Sequence, residues 1–146
     1  MTQTLAIIKP DAVARGKTGI ILAHVEAAGF TVRAMRMARL RWAEAEAFYA
    51  VHRGRPFYHS LCVFMTSGPC IPLVLERADA VPQLREVIGA TDPAEAAPGT
   101  VRRLYAENKE RNAIHASDSD ENAAREIAFF FPEAERTGLW GQDRAS

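Results

Sequence analysis

The run Thr4-Leu5-Ala6-Ile7-Ile8, stopped by Lys9-Pro10, constrains this chain more than any other stretch. A strand with one wet face alternates apolar and polar residues, whereas a short, nearly continuous apolar run is a strand buried on both faces. Such a strand needs cover above and below. At 146 residues, 48% of them hydrophobic, the chain can build one domain of that kind over its whole length, 1–146, and is too short for two ordinary ones.

The covering elements follow in order. Ile21, Leu22, Val25 and Ala28 recur at helical spacing and Gly29 supplies the stop. Phe30-Thr31-Val32-Arg33-Ala34 alternates as a half-buried strand whose phase slips near Met35, predicting a bulge there. A second helical pattern sets Ala43, Ala47 and Phe48 on one side and brings Tyr49 and His52 to a loop ending at Pro56. Phe57, Tyr58 and Leu61 open a further helix that ends at Ser67-Gly68-Pro69. Aromatics at that spacing are core residues or, after a turn set by Pro56, an exposed plate for stacking a planar ring.

Cys70 to Glu76 reads as the next strand, in which Pro72 must sit at the beginning or face no partner, because it has no N–H for the ladder. Val81, Leu84, Val87 and Ile88 give an amphipathic helix with Arg85 on its flank and Gly89 closing it. Asp92 to Gly99 is a surface loop, and Thr100 to Tyr105 leads back to a last strand. The tail, 137–146, is polar apart from Leu139-Trp140 and is either loose or packs its Trp on a neighbour. This order predicts a mixed α/β fold with helices covering a small sheet.

Lys plus Arg and Asp plus Glu both total 18, so there is no global basic field for nucleic acid, and any phosphate site must be a local cluster. Cys62 and Cys70 sit in apolar settings without metal-ligand spacing, which predicts two buried, reduced thiols and suits a cytosol. With no export-type N-terminus and no apolar run approaching membrane-spanning length, a soluble cytoplasmic protein is expected.

The chemistry concentrates near the end. Ala113-Ile114 is the apolar run between a charged segment and Ser117-Asp118-Ser119-Asp120, so His115 should stand where a strand leaves the core. In the helix that follows, Ser119 caps, Pro132 stops the run, and Ala123, Ile127 and Phe130 form the inward stripe. Glu126 lies on the same side. A carboxylate aimed inward needs a partner, and His115 is the nearest group able to donate an N–H. A carboxylate holding one ring nitrogen leaves the other free as a nucleophile. For a lone histidine, a core residue satisfied by an adjacent acid is the commoner reading.

The stretch Asn112-Ala113-Ile114-His115-Ala116-Ser117-Asp118-Ser119 resembles the active-site signature of nucleoside diphosphate kinases, and the resemblance runs from Thr4 to about Glu135. Ile8-Lys9-Pro10-Asp11, Arg55-Pro56-Phe57-Tyr58, Ser67-Gly68-Pro69, Gly89-Ala90-Thr91-Asp92-Pro93-Ala94 and Pro98-Gly99-Thr100-Val101-Arg102 follow the family's order. So many motifs in register are very specific, and they reverse the reading of His115. The resemblance implies a ferredoxin-like β-α-β-β-α-β fold with a four-stranded antiparallel sheet. It implies transfer of the terminal phosphate of a nucleoside triphosphate, typically ATP, to a nucleoside diphosphate, by a ping-pong mechanism through phosphorylated His115.

Carried over by matching position, the resemblance implies Glu126 orienting the His115 ring and Ser117 fixing Glu126. Lys9 and Asn112 would meet the ribose hydroxyls, and Arg85, Thr91 and Arg102 the phosphates. Tyr49 would pack behind the histidine, while Phe57 and Leu61 would flank the base. Lys9 and the two arginines, taken singly, would otherwise read as solvated charges. The chain has no Gly-rich phosphate loop and no protein cage for a metal, so Mg²⁺ would come with the nucleotide. Homo-oligomerisation is implied, with a tetramer slightly favoured over a hexamer. Ala12, Arg77 and Ala116 stand where relatives often have glycine, which raises the question of backbone strain there. The alternative function is a non-catalytic nucleotide-binding or regulatory module of the same fold; a nucleic-acid module is disfavoured by the neutral charge.

Overall fold

We describe residues 1–140 of the chain from a computed structural model. Four strands form one antiparallel sheet in the order β2-β3-β1-β4: β1 (Thr2–Ile8), β2 (Thr31–Met35), β3 (Ile71–Arg77) and β4 (Ile114–Ala116). The two nearly continuous apolar runs are the two central strands, as two-sided burial requires. On one face Ala6, Ile8, Leu73 and Leu75 pack with Ile21 and Val25 of α2 (Thr18–Ala27) and with Leu84 and Ile88 of α5 (Ala80–Ile88). On the other, Leu5, Ile7 and Val74 meet Phe48 of α3 (Trp42–Phe48), Phe64 and Met65 of α4 (Tyr58–Met65), and Ile127 and Phe130 of α7 (Asp120–Phe130). The expected ferredoxin-like α+β arrangement is the observed one, with short helices α1 (Pro10–Ala14) and α6 (Val101–Tyr105) and a last helix α8 (Glu133–Trp140) added to it.

Several local expectations are corrected. The buried side of α3 carries Ala45 and Phe48, while Ala43 and Ala47 are exposed. Alanine is at home on either face, so it carries little phase information; the core residue Phe48 marks the inward side, and at the helix start the Glu44 carboxylate accepts the Arg41 N–H at 2.8 Å. The bulge in β2 falls between Val32 and Ala34, earlier than Met35. Thr100 to Tyr105 is a capped helical turn, with the Thr100 hydroxyl accepting from Arg103 N–H. The tail expected from 137 onward begins inside α8; its side chains, Trp140 included, and all of 141–146 lie outside the described residues.

Pro72 stands inside β3, a central strand, yet costs little. Its carbonyl accepts from Arg36 N–H at 3.3 Å, so its missing N–H also faces β2, one residue after β2 has ended at Met35. Arg77 needs no unusual backbone: the left-handed residue of that turn is Asp79 (φ 51°), and the Arg77 guanidinium bonds the Ala28 carbonyl at 2.7 Å. Ala12 and Ala116 are likewise unstrained; the positive φ among the alanines is at Ala113 (φ 75°).

Candidate active site

β4 pairs with β1 through three residues, and His115 is the middle one, opposite Ile7. Its ring packs edge-on against Phe48 and Tyr49, with centroid separations of 5.4 and 6.2 Å. Nε2 lies 2.8 Å from Glu126 Oε1, and the Ser117 hydroxyl donates to the same oxygen at 2.7 Å. α7 carries Glu126 to this point because Ser119 caps it, accepting from Asn122 N–H at 3.1 Å, and because the stripe Ala123, Ile127 and Phe130 fixes its rotation. Burial pushes the Glu126 carboxyl up, but the His115 bond and charge and the Ser117 hydroxyl outweigh it, leaving its pKa below the ordinary value. An ionised Glu126 accepts a proton-bearing Nε2, so the lone pair of the imidazole is on Nδ1.

His115 lines a cavity of about 570 Å³, and Lys9, Tyr49, Phe57, Leu61, Arg85, Thr91, Arg102, Asn112 and Glu126 line it too. Ser117 alone of the expected residues stands behind the wall, fully buried. Lys9, at the end of β1, donates from Nζ to Asn112 Oδ1 at 2.9 Å. Burial, with Arg102 nearby, lowers the Lys9 pKa to about 8. Asn112 in turn donates to the Thr91 carbonyl at 3.3 Å.

The arginines are anchored on main chain. Arg102 donates to the carbonyls of Gly89 at 3.1 Å and Ile114 at 2.7 Å, and Arg85 to that of Ala116 at 3.3 Å. Burial and the proximity of Arg85 lower the Arg102 pKa to about 10, still leaving the guanidinium charged at neutral pH. Gly89 is required here: φ is 89°, and a Cβ would lie 2.6 Å from the Thr100 hydroxyl oxygen. Phe57 presents an exposed ring at the cavity mouth, 46% accessible, with His52 5.1 Å away by centroid. The Tyr49 hydroxyl is buried without a hydrogen-bond partner, and burial pushes its pKa up.

His52, Asp118, Asn122 and Arg125 also line the cavity, and none was assigned to it from sequence. His52 had a usable signal, three residues after Tyr49 on the turn Ala50–His52. Its pKa is lowered by burial first and by Arg55 next. Asp118 accepts from Asn122 Nδ2 at 2.6 Å, which holds its carboxyl below the ordinary value.

A profile described as "Nucleoside diphosphate kinase" matches residues 2–136. Curated relatives of that name include one from Chlorobium luteolum, 56% identical over 90% of this chain and 94% of its own. Another, from Desulfatibacillum aliphaticivorans, is 53% identical over 94% of this chain and its whole length. Among solved structures, the Aquifex aeolicus nucleoside diphosphate kinase superposes with a TM-score of 0.91 at 46% identity, covering 92% of this chain and 98% of that one. The Halobacterium salinarum nucleoside diphosphate kinase, solved in complex with CDP, gives 0.87 at 40% identity, covering 91% and 89%.

Proposed function

The chain belongs to the nucleoside diphosphate kinase family, and from that premise we propose that His115 Nδ1 is the group through which it moves phosphate from a nucleoside triphosphate to a nucleoside diphosphate. The observation that carries this reading is the Glu126 carboxylate on Nε2, which leaves the other ring nitrogen as a nucleophile in a cavity that also holds Lys9, Arg85 and Arg102. In the first half-reaction the Nδ1 lone pair forms a bond to the terminal phosphorus while the bond from that phosphorus to the bridging oxygen breaks, its electron pair leaving with the nucleoside diphosphate. The second half-reaction is the reverse, onto a different diphosphate. Glu126 stabilises the positive charge that His115 acquires, as its bond to Nε2 allows. Ser117 holds the carboxylate in place.

Arg85 and Arg102 would hold the phosphates, since a guanidinium fork can bond two oxygens at once, and Thr91 would add a hydroxyl. Lys9 and Asn112 would take the ribose hydroxyls, and Tyr49 would buttress the His115 ring. Phe57 and Leu61 would flank the base from outside. An aromatic face without paired donors and acceptors accepts any base, so broad nucleoside specificity follows. A relative solved with CDP supports nucleotide as the occupant.

Mg²⁺ would arrive with the triphosphate and neutralise charge on its oxygens. The residues fit that arrangement, since Asp118 is a cavity carboxylate able to accept from the ion's waters. Self-association is part of the proposal, with a tetramer slightly favoured over a hexamer; β2 is a sheet edge with Met35 and Met37 exposed beside it, which supports association and does not choose between the two. No helix among the described residues is long and apolar enough to cross a membrane, and a cytoplasmic setting suits two buried thiols.

The test is brief incubation of the enzyme and its His115→Ala variant with ATP, followed by intact-mass measurement under non-acidic conditions. One added phosphoryl group in the unaltered enzyme alone, lost to an added diphosphate as the matching triphosphate appears, supports the covalent route. ATP bound without any mass gain would favour a non-catalytic nucleotide-binding module instead.

A further inference from the structure

Asp11 has no part in the chemistry described so far, yet its side chain is buried, 3% accessible, at the start of α1. Its Oδ2 accepts the Ala113 N–H at 3.1 Å. Ala113 is the left-handed alanine, with φ 75°, and the Ile114 N–H closes a three-residue turn onto the Asn112 carbonyl at 2.9 Å. An alanine in such a turn resists it, because its Cβ crowds the backbone in a way that glycine escapes. The turn persists because neighbours hold it, which is the usual condition for a strained residue. Asp11 holds its N–H, and the Lys9 main-chain N–H donates to its carbonyl at 2.9 Å.

The turn lies between two working parts of the site. Immediately before it, Asn112 meets Lys9 Nζ and the Thr91 carbonyl. Immediately after it, β4 begins, with Arg102 on the Ile114 carbonyl and His115 next. β4 is three residues long and is held to the sheet by three facing pairs, so it has little ladder of its own with which to resist a relaxed turn. A change of φ at Ala113 would move His115 relative to the Lys9–Asn112 pair, and transfer is sensitive to misplacement of that kind.

We propose that Asp11 is a positioning residue: by accepting the Ala113 N–H, its carboxylate keeps the turn in its left-handed form and so sets His115 at the right distance from the nucleotide's bound end. The acceptor oxygen carries this role and the charge does not. The proposal rests on His115 being the nucleophile.

The test compares the unaltered enzyme, Asp11→Asn, Asp11→Ala and Asp11→Ala combined with Ala113→Gly. The rate of His115 phosphorylation by ATP is measured by rapid quench and expressed per folded molecule, with folding read from denaturant curves. Asn keeps an acceptor oxygen and glycine removes the strain, so the expected rates are within about threefold of the unaltered enzyme for Asp11→Asn. A drop on the order of tenfold or more is expected for Asp11→Ala, with recovery of most of it in the double variant. Unchanged phosphorylation per folded Asp11→Ala molecule, with stability alone reduced, would overturn the proposal. So would equal slowing in Asp11→Asn, which would make the charge the active feature. If Asp11→Ala fails to fold, Asp11→Asn and the double variant decide between the same outcomes. Absence of any phosphoenzyme in the unaltered protein would remove the nucleophile reading itself, whereas a phosphorylated wild type with fast Asp11→Ala removes only the positioning role.

Discussion

Lys9 and Glu126 are both buried charges at the site, each with its pKa lowered in the folded chain, so stability rises with pH through both, in separate windows. The Lys9 pKa is about 8 against an ordinary 10.5, so the unfolded chain holds more protons between those values. The free enzyme therefore gains stability from Lys9 as pH rises across that window, while its affinity for nucleotide falls as the ammonium is lost. Calorimetric titration of ADP from pH 7 to 9.5 should show that fall, and Lys9→Arg, which does not titrate there, should flatten it. Glu126 is shifted below its ordinary 4.5, so the stability it contributes is present above that value and lost as pH falls through its folded pKa. Glu126→Gln should lower the His115 phosphorylation rate on the order of tenfold to a hundredfold. Its stability deficit against the unaltered enzyme should shrink below about pH 4.5 in acid-denaturation curves. At this scale the sequence was most legible where chemistry dictates pairing: an inward carboxylate near a histidine implies their contact. The left-handed Ala113 was illegible, because nothing about alanine announces a conformation that costs it about 1–2 kcal/mol and that only distant neighbours, Asp11 and Lys9, enforce.

α7 was readable from end to end because each of its boundaries has a chemical sign: a serine cap, acids in the first turn and a proline after the last aromatic. α3 was misread in phase, since Ala43, Ala45 and Ala47 are interchangeable to a hydrophobic count, and β4 was recognised by its histidine more than by its three residues. The join between α5 and the loop after it rests on Gly89. Gly89→Ala would both force a side chain into a left-handed backbone and drive it into Thr100, so unfolding free energy should fall by about 1–3 kcal/mol. Because Arg102 bonds the Gly89 carbonyl, the same variant should also raise KM for the triphosphate. Urea denaturation and steady-state kinetics read the two effects separately, and an unchanged KM would mean that the loop does not seat Arg102.

Across the whole molecule, two-sided burial of β1 was implied by a five-residue run, and the layered arrangement follows from it. Strand order was beyond the hydrophobic pattern, since a strand paired with either neighbour buries the same residues. The site draws on the end of β1, on α3 and α4, on α5 and the segment after it, and on β4 with α7. Nucleotide in the cavity would tie these parts together. ADP at a hundred times its Kd should therefore add about 2.7 kcal/mol to unfolding, measured as a rise in Tm; no rise would mean that nucleotide does not bind the folded chain.

The cations of the site are held by the protein's own oxygens. Arg85 rests on the Ala116 carbonyl, Arg102 on Gly89 and Ile114, and Lys9 on Asn112, so each of the three is aimed by an oxygen of the chain. A guanidinium has five N–H groups and an ammonium three, so these bonds leave donors over, and nucleotide would meet cations that are already aimed. Under the proposed two-step transfer, the departing nucleotide and the arriving one would each meet the same pre-set donors, with no cation to re-order between them.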